Sequence, residues 1–187
     1  TWPLRDSEGG FAGSIEALQD ISERKRAEQL QGALYRISQA ALRSGDLDEL
    51  YQAIHGIVAG LMPARNCYVA LPDDSDGRIT FPYWADEREA RQGSRARGRS
   101  FTDWILQQGQ PLRYQETLRT GVPAPEEATL IGLVPVDWMG APLTVGTRTI
   151  GVLAINTTEP GSHYTERDQA LLAFVAGQVA FAIERQR

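Results

Sequence analysis

The stretch "ALLAFVAGQVAFAI" (Ala170 to Ile183) constrains this chain more than any other, because Gln178 is its only clearly polar residue. A helix that is apolar nearly all round must be covered on most of its circumference. A bilayer is the wrong cover: a span needs about 20 apolar residues, and this run is shorter and flanked by Arg167, Asp168, Glu184 and Arg185. The run is therefore expected to be a helix buried in protein, with one face on a sheet and the rest against another helix or a second copy of the chain. Each large apolar side chain left in water would forgo about 1.5–3 kcal/mol of burial.

The preceding residues supply a sheet to cover. "NCYVALP" is apolar on both faces, with Cys67, Val69 and Leu71 against Tyr68 and Ala70, as a central strand would be. "RITFPYW" alternates Ile79, Phe81 and Tyr83 against Thr80, Pro82 and Trp84, and Pro82 marks an edge or a bulge. "VPVDWMGAPLTVGTRTIGVLAIN" predicts two strands joined through "VGTR". Between these pairs lie a polar stretch, "ADEREARQGSRARGRS", and a short helix in "SFTDWILQQGQPLRY", capped by Ser100 or Thr102 and closed by Gly109. A strand follows that helix, and "EEATLIGLV" is a brief helix or loop. The last helix starts near Thr165, with Thr165 and Asp168 as caps.

Upstream, the period changes. Residues 1–21 resemble a hairpin, with "DSEGG" as the turn and "FAGSIEALQDI" alternating. From Ala27 the apolar residues Leu30, Leu34, Ile37 and Ala41 step by three and four, drawing a narrow helical seam. This helix should stop near "SGD" (Ser44 to Asp46), where Asp46 caps a second helix running to Pro63. The order implies an α+β domain: an antiparallel sheet of five or six strands, N- and C-terminal helices on one face, and a lid of short helices and loops on the other.

With 19 basic against 24 acidic residues, the chain is a poor partner for nucleic acid. One cysteine cannot form an intramolecular disulfide or a CxxC site, and it fits a reducing compartment. The start of the sequence lacks the basic and apolar segments of a signal peptide. A cytoplasmic location without direct membrane contact is expected.

Three segments resemble a GAF domain of the bacterial signalling type. They are the Trp138-x-Gly140-x-Pro142-Leu143 strand, the Ile150 to Leu153 strand and the Tyr164-Thr165-x-x-Asp168 helix start. "ARNCYVALPDD…ITFPYWADE" and "FTDWILQQGQPL" are similar to the first half of that family. "DISERKRAE" resembles the junction that ends many PAS domains. The resemblance implies a PAS-derived hairpin over 1–21, a connecting helix over 22–44 and a GAF domain over 45–187. It also implies fusion to an upstream PAS domain and a downstream output, a GGDEF diguanylate cyclase or a histidine kinase. The chain itself is expected to be non-catalytic.

A cavity between sheet and lid is the expected ligand site. Tyr83, Trp84, Trp104 and Trp138 could stack on a planar ligand or simply fill the space. Asp86 and Thr102 stand beside them in sequence. Arg88, Arg91, Arg95, Arg97 and Arg99 crowd the lid loop and could form an anion clamp over the pocket, with Arg97 and Arg99 the candidate ligand-binding residues; a solvated charge run is the alternative. Bilin attachment lacks the usual Cys-His pair. Cyclic-nucleotide binding lacks its lysine, since Asn156 is followed by Thr157. Free methionine sulfoxide reduction needs several cysteines, whereas Cys67 is alone. His55 and His163 match no ligand spacing, and no metal or cofactor is expected. The apolar helices imply a parallel homodimer through Leu30, Leu34 and Ile37 with Leu171, Val175, Gln178, Val179 and Ala182. Three readings are carried: a sensor of a small molecule, a ligand-free spacer that dimerises and relays a signal, and in third place a free methionine sulfoxide reductase-like enzyme.

Overall fold

The computed structural model describes residues 3–5, 7, 11–43, 46–90, 92–115 and 135–186. The chain divides into two compact units, residues 1–36 and 37–187. In the first, β1 (Pro3–Arg5) and β2 (Phe11–Ser14) form an antiparallel hairpin. Helix α1 (Ile15–Arg43) follows at once and crosses the boundary into the second unit. The strand expected to run to residue 21 therefore ends at Ser14. Its continuation, "IEALQDISERKRAEQ", is rich in straight-chain helix formers and has no turn residue to stop a helix.

The second unit is built on a six-stranded antiparallel sheet in the order β5-β4-β3-β8-β7-β6. Its strands are β3 (Asn66–Asp73), β4 (Arg78–Ala85), β5 (Ser94–Ala96), β6 (Leu112–Gln115), β7 (Asp137–Val145) and β8 (Arg148–Thr157). The doubly apolar strands β3 and β8 sit side by side at its centre, as their pattern requires. Helices α2 (Leu47–Ala59) and α4 (Glu166–Gln186) pack together on one face, α4 across β7 and α2 towards β4. Helix α3 (Phe101–Gln108) packs on β7 and β8 from the other side. The polar stretch after β4 contributes β5, an edge strand paired to the start of β4. The segment "EEATLIGLV" and Arg91 lie outside the described residues.

Local chemistry sets the boundaries. Asp46 caps α2 by accepting the Asp48 N–H. Ser100 and Asp103 form a reciprocal capping box on α3, and Gly109 ends that helix at φ 64°, where a Cβ would be strained. Thr165 and Asp168 exchange the same pair of bonds at the start of α4.

Two packing facts correct the sequence reading. First, Val175, Val179 and Ala182 of α4 are buried inside this single chain, at 0%, 0% and 6% exposure, so they are unavailable to a partner. Leu171 and Gln178 are half-buried. The large side chains α4 leaves outside are Phe174 and Phe181, one heptad apart, at 43% and 60% exposure. The seam of near-continuous apolarity hid which flank the sheet would claim. On α1, Leu30 and Leu34 are half-buried and Ile37 is buried. Second, β4 carries a bulge: Val69 and Leu71 of β3 face Tyr83 and Thr80, so three steps on β4 match two on β3. The extra residue flips the alternation after Phe81. Tyr83 moves to the helix face and Trp84 to the lid face, opposite to the strict alternation read from "RITFPYW".

Candidate functional site

The lid face of the sheet carries an aromatic cluster. Tyr68 of β3 stacks on Trp84 at 5.1 Å, and Phe81 meets Trp84 edge-on at 5.4 Å. On the far side Phe101 of α3 lies 5.3 Å from the Trp138 ring. Between these two groups opens a cavity of about 60 Å³. Each water needs roughly 10–15 Å³ of such space, so the cavity holds a few waters or one small polar group.

Its polar wall comes from strand ends. Asn66 and Asn156 are register partners on β3 and β8, and the Asn66 amide donates to Asn156 Oδ1 at 2.8 Å. Asn66 Oδ1 in turn accepts the Glu87 N–H at 3.0 Å, which ties the loop after β4 to the sheet. Tyr68 and Thr102 share a hydroxyl–hydroxyl bond at 2.9 Å across sheet and α3. Burial pushes the Tyr68 phenol up, so it stays protonated.

Two arginines border the cavity, Arg88 and Arg95, and Arg95 is already engaged. Its Nη1 lies 3.0 Å from Asp103 Oδ2 and donates to the Ala96 carbonyl, while Nη2 donates to the Ser100 hydroxyl. Asp103 is 4% exposed. Burial alone would raise its pKa. Bonds from the Ser100 side chain and from the Gly98 and Ser100 N–H groups, with the Arg95 charge, more than offset that and hold it below the usual carboxylate range. Arg95 thus locks the start of α3 to β5.

Of the sequence candidates, Trp84, Asp86, Thr102 and Trp138 line this cavity. Asp86 also organises the loop, its Oδ1 accepting the Arg88 and Glu89 N–H groups. Tyr83 is excluded by the bulge; its hydroxyl bonds His55 Nδ1 at 2.8 Å on the α2 side. His55 Nε2 faces the Ala64 carbonyl, which can only accept, so Nε2 carries the proton and Nδ1 accepts from Tyr83. Trp104 packs against the outside of the lid core rather than the cavity. Arg97 points away and pairs with Asp74 at 3.2 Å, and Arg99 is exposed outside the cavity wall. Of the lid-loop arginines, Arg88 and Arg95 therefore border the cavity, Arg97 and Arg99 do not, and Arg91 lies outside the described residues. Sequence reasoning missed Asn66 and Tyr68 as site residues and weighed Asn156 only against the cyclic-nucleotide signature. Asparagines closing two central apolar strands were the available signal, because a polar residue there needs a partner.

A second polar group anchors α4. Asp137, fully buried at the start of β7, accepts the Tyr164 N–H at 2.7 Å. Arg113 of β6 donates to the Tyr164 carbonyl, and the Tyr164 hydroxyl donates to the Pro63 carbonyl at 2.5 Å. His163 Nδ1 lies 3.8 Å from Asp137 Oδ2 and accepts from the Gln115 amide at 2.7 Å. Burial pushes the Asp137 carboxyl up, against the Tyr164 and Trp138 N–H groups and the nearby Arg113 and His163. Cys67 is buried on the helix side, and desolvation pushes its thiol up to about 12.

Residues 44–184 match the family profile of the GAF domain. Among solved structures, the GAF domain of an Acinetobacter phosphoenolpyruvate-protein phosphotransferase is similar, with TM-score 0.66 and 16% identity over 83% of this chain and 93% of that one. The A. aeolicus NLH2 GAF domain, in an inactive state, gives TM-score 0.67 and 13% identity over 87% and 99%. Free methionine-R-sulfoxide reductase from Neisseria meningitidis, in complex with its substrate, gives TM-score 0.68 and 15% identity over 87% and 92%. At such identities the likeness is one of fold. No curated protein matches.

Proposed function

The chain belongs to the GAF domain family, and on that premise we propose that it is a sensory module of a multidomain signalling protein. A small polar molecule binds between sheet and α3, and α4 passes the event to an output domain. One observation carries this reading: the cavity is walled by aromatic rings and also by Asn66, Thr102 and Asn156, polar groups that can orient a ligand. Its volume of about 60 Å³ restricts the bound part to a small head group, well short of a purine. The ligand acts only through its differential affinity for two arrangements of the lid.

The wider assignment belongs to the same proposal. The module works in the cytoplasm as a homodimer, between a PAS-derived segment and a GGDEF cyclase or histidine kinase. Phe174 and Phe181 are the surface on which two copies meet, replacing the inner residues expected from sequence. Among the described residues no helix is long and apolar enough to cross a membrane. The module is not itself an enzyme. A reductase reading would need Cys67 as a nucleophile, and a buried thiol with its pKa near 12 is a poor one.

A ligand-free relay is the second reading, favoured by the tight Tyr68–Trp84 stack and the small cavity. Native mass spectrometry of freshly purified protein separates the two. The sensory reading expects a dimer carrying one small molecule per subunit, lost on Thr102→Val. A bare dimer, with no thermal shift across a panel of amino acids and small carboxylates, would leave the relay.

A further inference from the structure

At the opposite ends of β3 and β8 lies a second and larger cavity, of about 290 Å³. Its walls are the β3 end at Pro72 and Asp74, Arg97 after β5, the flank of α3 at Leu106 and Gln107, and the start of β8 at Arg148. Nothing in the sensory reading uses it.

The charge balance there favours an anion. Two arginines, Arg97 and Arg148, line the space, and the guanidinium of each is held by an ion pair, to Asp74 and to Glu184. Asp103 also borders it, but its charge is compensated by Arg95 and by the Gly98 and Ser100 donors. Asp74 is 88% exposed and holds Arg97 through a contact of 3.2 Å. Exposed pairs of this kind are weak, so Asp74 swings into water at little cost when a stronger anion arrives. Arginine suits such a ligand because its planar fork grips two oxygens at once.

Arg148 gives the site a readout. Its Nη2 donates to Glu184 Oε1 at 3.0 Å, joining the β7–β8 turn to the last turn of α4. A carboxylate at a helix C-terminus is unfavourable against the helix dipole. Arg148 relieves that conflict, and an oxyanion that recruits Arg148 restores it. We propose that this cavity binds a small multivalent oxyanion, which competes with Glu184 for Arg148 and loosens the end of α4. The site requires no occupant in the aromatic cavity and stands or falls apart from it.

Calorimetric titration with inorganic pyrophosphate, and in parallel with citrate, tests the site at constant ionic strength set by sodium chloride. Saturable one-to-one binding of either is expected. It should weaken at least about tenfold in Arg97→Gln and in Arg148→Gln, as loss of a charge-assisted bond implies. Arg185→Gln, a change of equal charge one residue beyond Glu184, should bind like the parent. Hydrogen exchange supplies the second measurement: the saturating ligand should speed exchange in the last turn of α4 about two- to fivefold. Arg148→Gln should be fast already and unresponsive. By reciprocity, Glu184→Gln should bind the anion more tightly by a similar factor, which a purely structural ion pair would not produce. Absence of saturation at millimolar ligand, parent-like affinity in both arginine variants, or unchanged affinity in Glu184→Gln would each overturn the proposal.

Discussion

Replacing Asp103 by Asn tests whether the lid is held by charge as well as by shape. The carboxylate accepts Gly98 N–H at 2.9 Å on Oδ1, with Ser100 N–H at 3.0 Å, the Ser100 hydroxyl at 2.5 Å and Arg95 Nη1 at 3.0 Å on Oδ2. An amide keeps the volume but turns one acceptor into a donor. Its least costly placement sets the new NH₂ against the Gly98 N–H, losing one bond and placing donor against donor. Arg95, 17% exposed, is left without a counter-charge. Removing one partner of a buried pair costs about 3–5 kcal/mol. Water reaches the edge of Arg95, so the lower end applies, and about 3 kcal/mol is expected at neutral pH.

The pH dependence follows from the same contacts. The folded pKa of Asp103 is depressed, so its contribution is present above the unfolded value of about 3.9 and is lost as pH falls through the folded value. Urea unfolding of parent and variant at neutral pH, then in acid steps, should show a gap that narrows on acidification. A gap under about 0.5 kcal/mol at neutral pH, or one that stays constant into acid, would refute the charge argument, since surface substitutions reach no more than that.

Four further outcomes are expected. Gly140→Ala would place a Cβ 2.6 Å from the Trp138 ring and 2.7 Å from Ile105, so it should cost about 1–3 kcal/mol and alter tryptophan fluorescence; an unchanged spectrum would show that the two sides move freely. Asp137, whose pKa is raised, contributes the opposite sign to Asp103: stability is present below about pH 3.9 and lost as pH rises through the folded value. Melting temperatures of parent and Asp137→Asn should therefore diverge with rising pH, the parent falling relative to the variant, and parallel curves would contradict this. Cys67 should resist a thiol reagent in the native state and react fully in denaturant; rapid native labelling would mean the strand opens readily. Phe174→Glu with Phe181→Glu should shift sedimentation from dimer to monomer without unfolding the chain; an unmoved dimer would place the interface elsewhere.

The fold was legible because each local signal agreed with the others. Two strands apolar on both faces had to lie at the sheet centre, and β3 and β8 do. The caps at Asp46, Ser100 and Thr165 were legible as helix starts because short polar side chains there satisfy free N–H groups. The site was less legible. Pro82 pointed to an irregularity, yet only the pairing of Val69 with Tyr83 and Leu71 with Thr80 says where the extra residue sits. That one residue decides that Trp84, not Tyr83, faces the cavity. Arginine in the lid loop read as one class, but Arg95 turned inward to Asp103 and Arg97 outward to Asp74, a choice set by β5 pairing. On α4 the composition could not distinguish Val175 from Phe174, because both suit a core and only the docking angle assigns them.

Strand alternation supplies the step from cavity to helix. Trp138 lines the aromatic cavity, and Asp137, its neighbour in β7, points to the opposite face and holds the Tyr164 N–H. A ligand that displaces the Trp138 ring therefore pushes on the backbone that carries the α4 anchor. Arg113, two residues from the β6 partner of Asp137, donates to the Tyr164 carbonyl, so the two strands hold the two backbone groups of one residue. The far end of α4 is tied by Arg148, at the start of β8, to Glu184. Each end of the helix is thus fastened to a strand that also borders a cavity, the aromatic one through β7 at Trp138 and the basic one through β8 at Arg148. Each fastening fixes the position of its own end of α4, so loosening one lets that end shift on the sheet while the buried face stays packed. The two ligands should therefore couple through the helix, and the sign of that coupling is measurable as the change in pyrophosphate affinity between parent and Trp138→Phe, a substitution that lies at the other cavity. An affinity identical in the two would mean that α4 is held along its length by its buried face, Val175, Val179 and Ile183, and not by its ends.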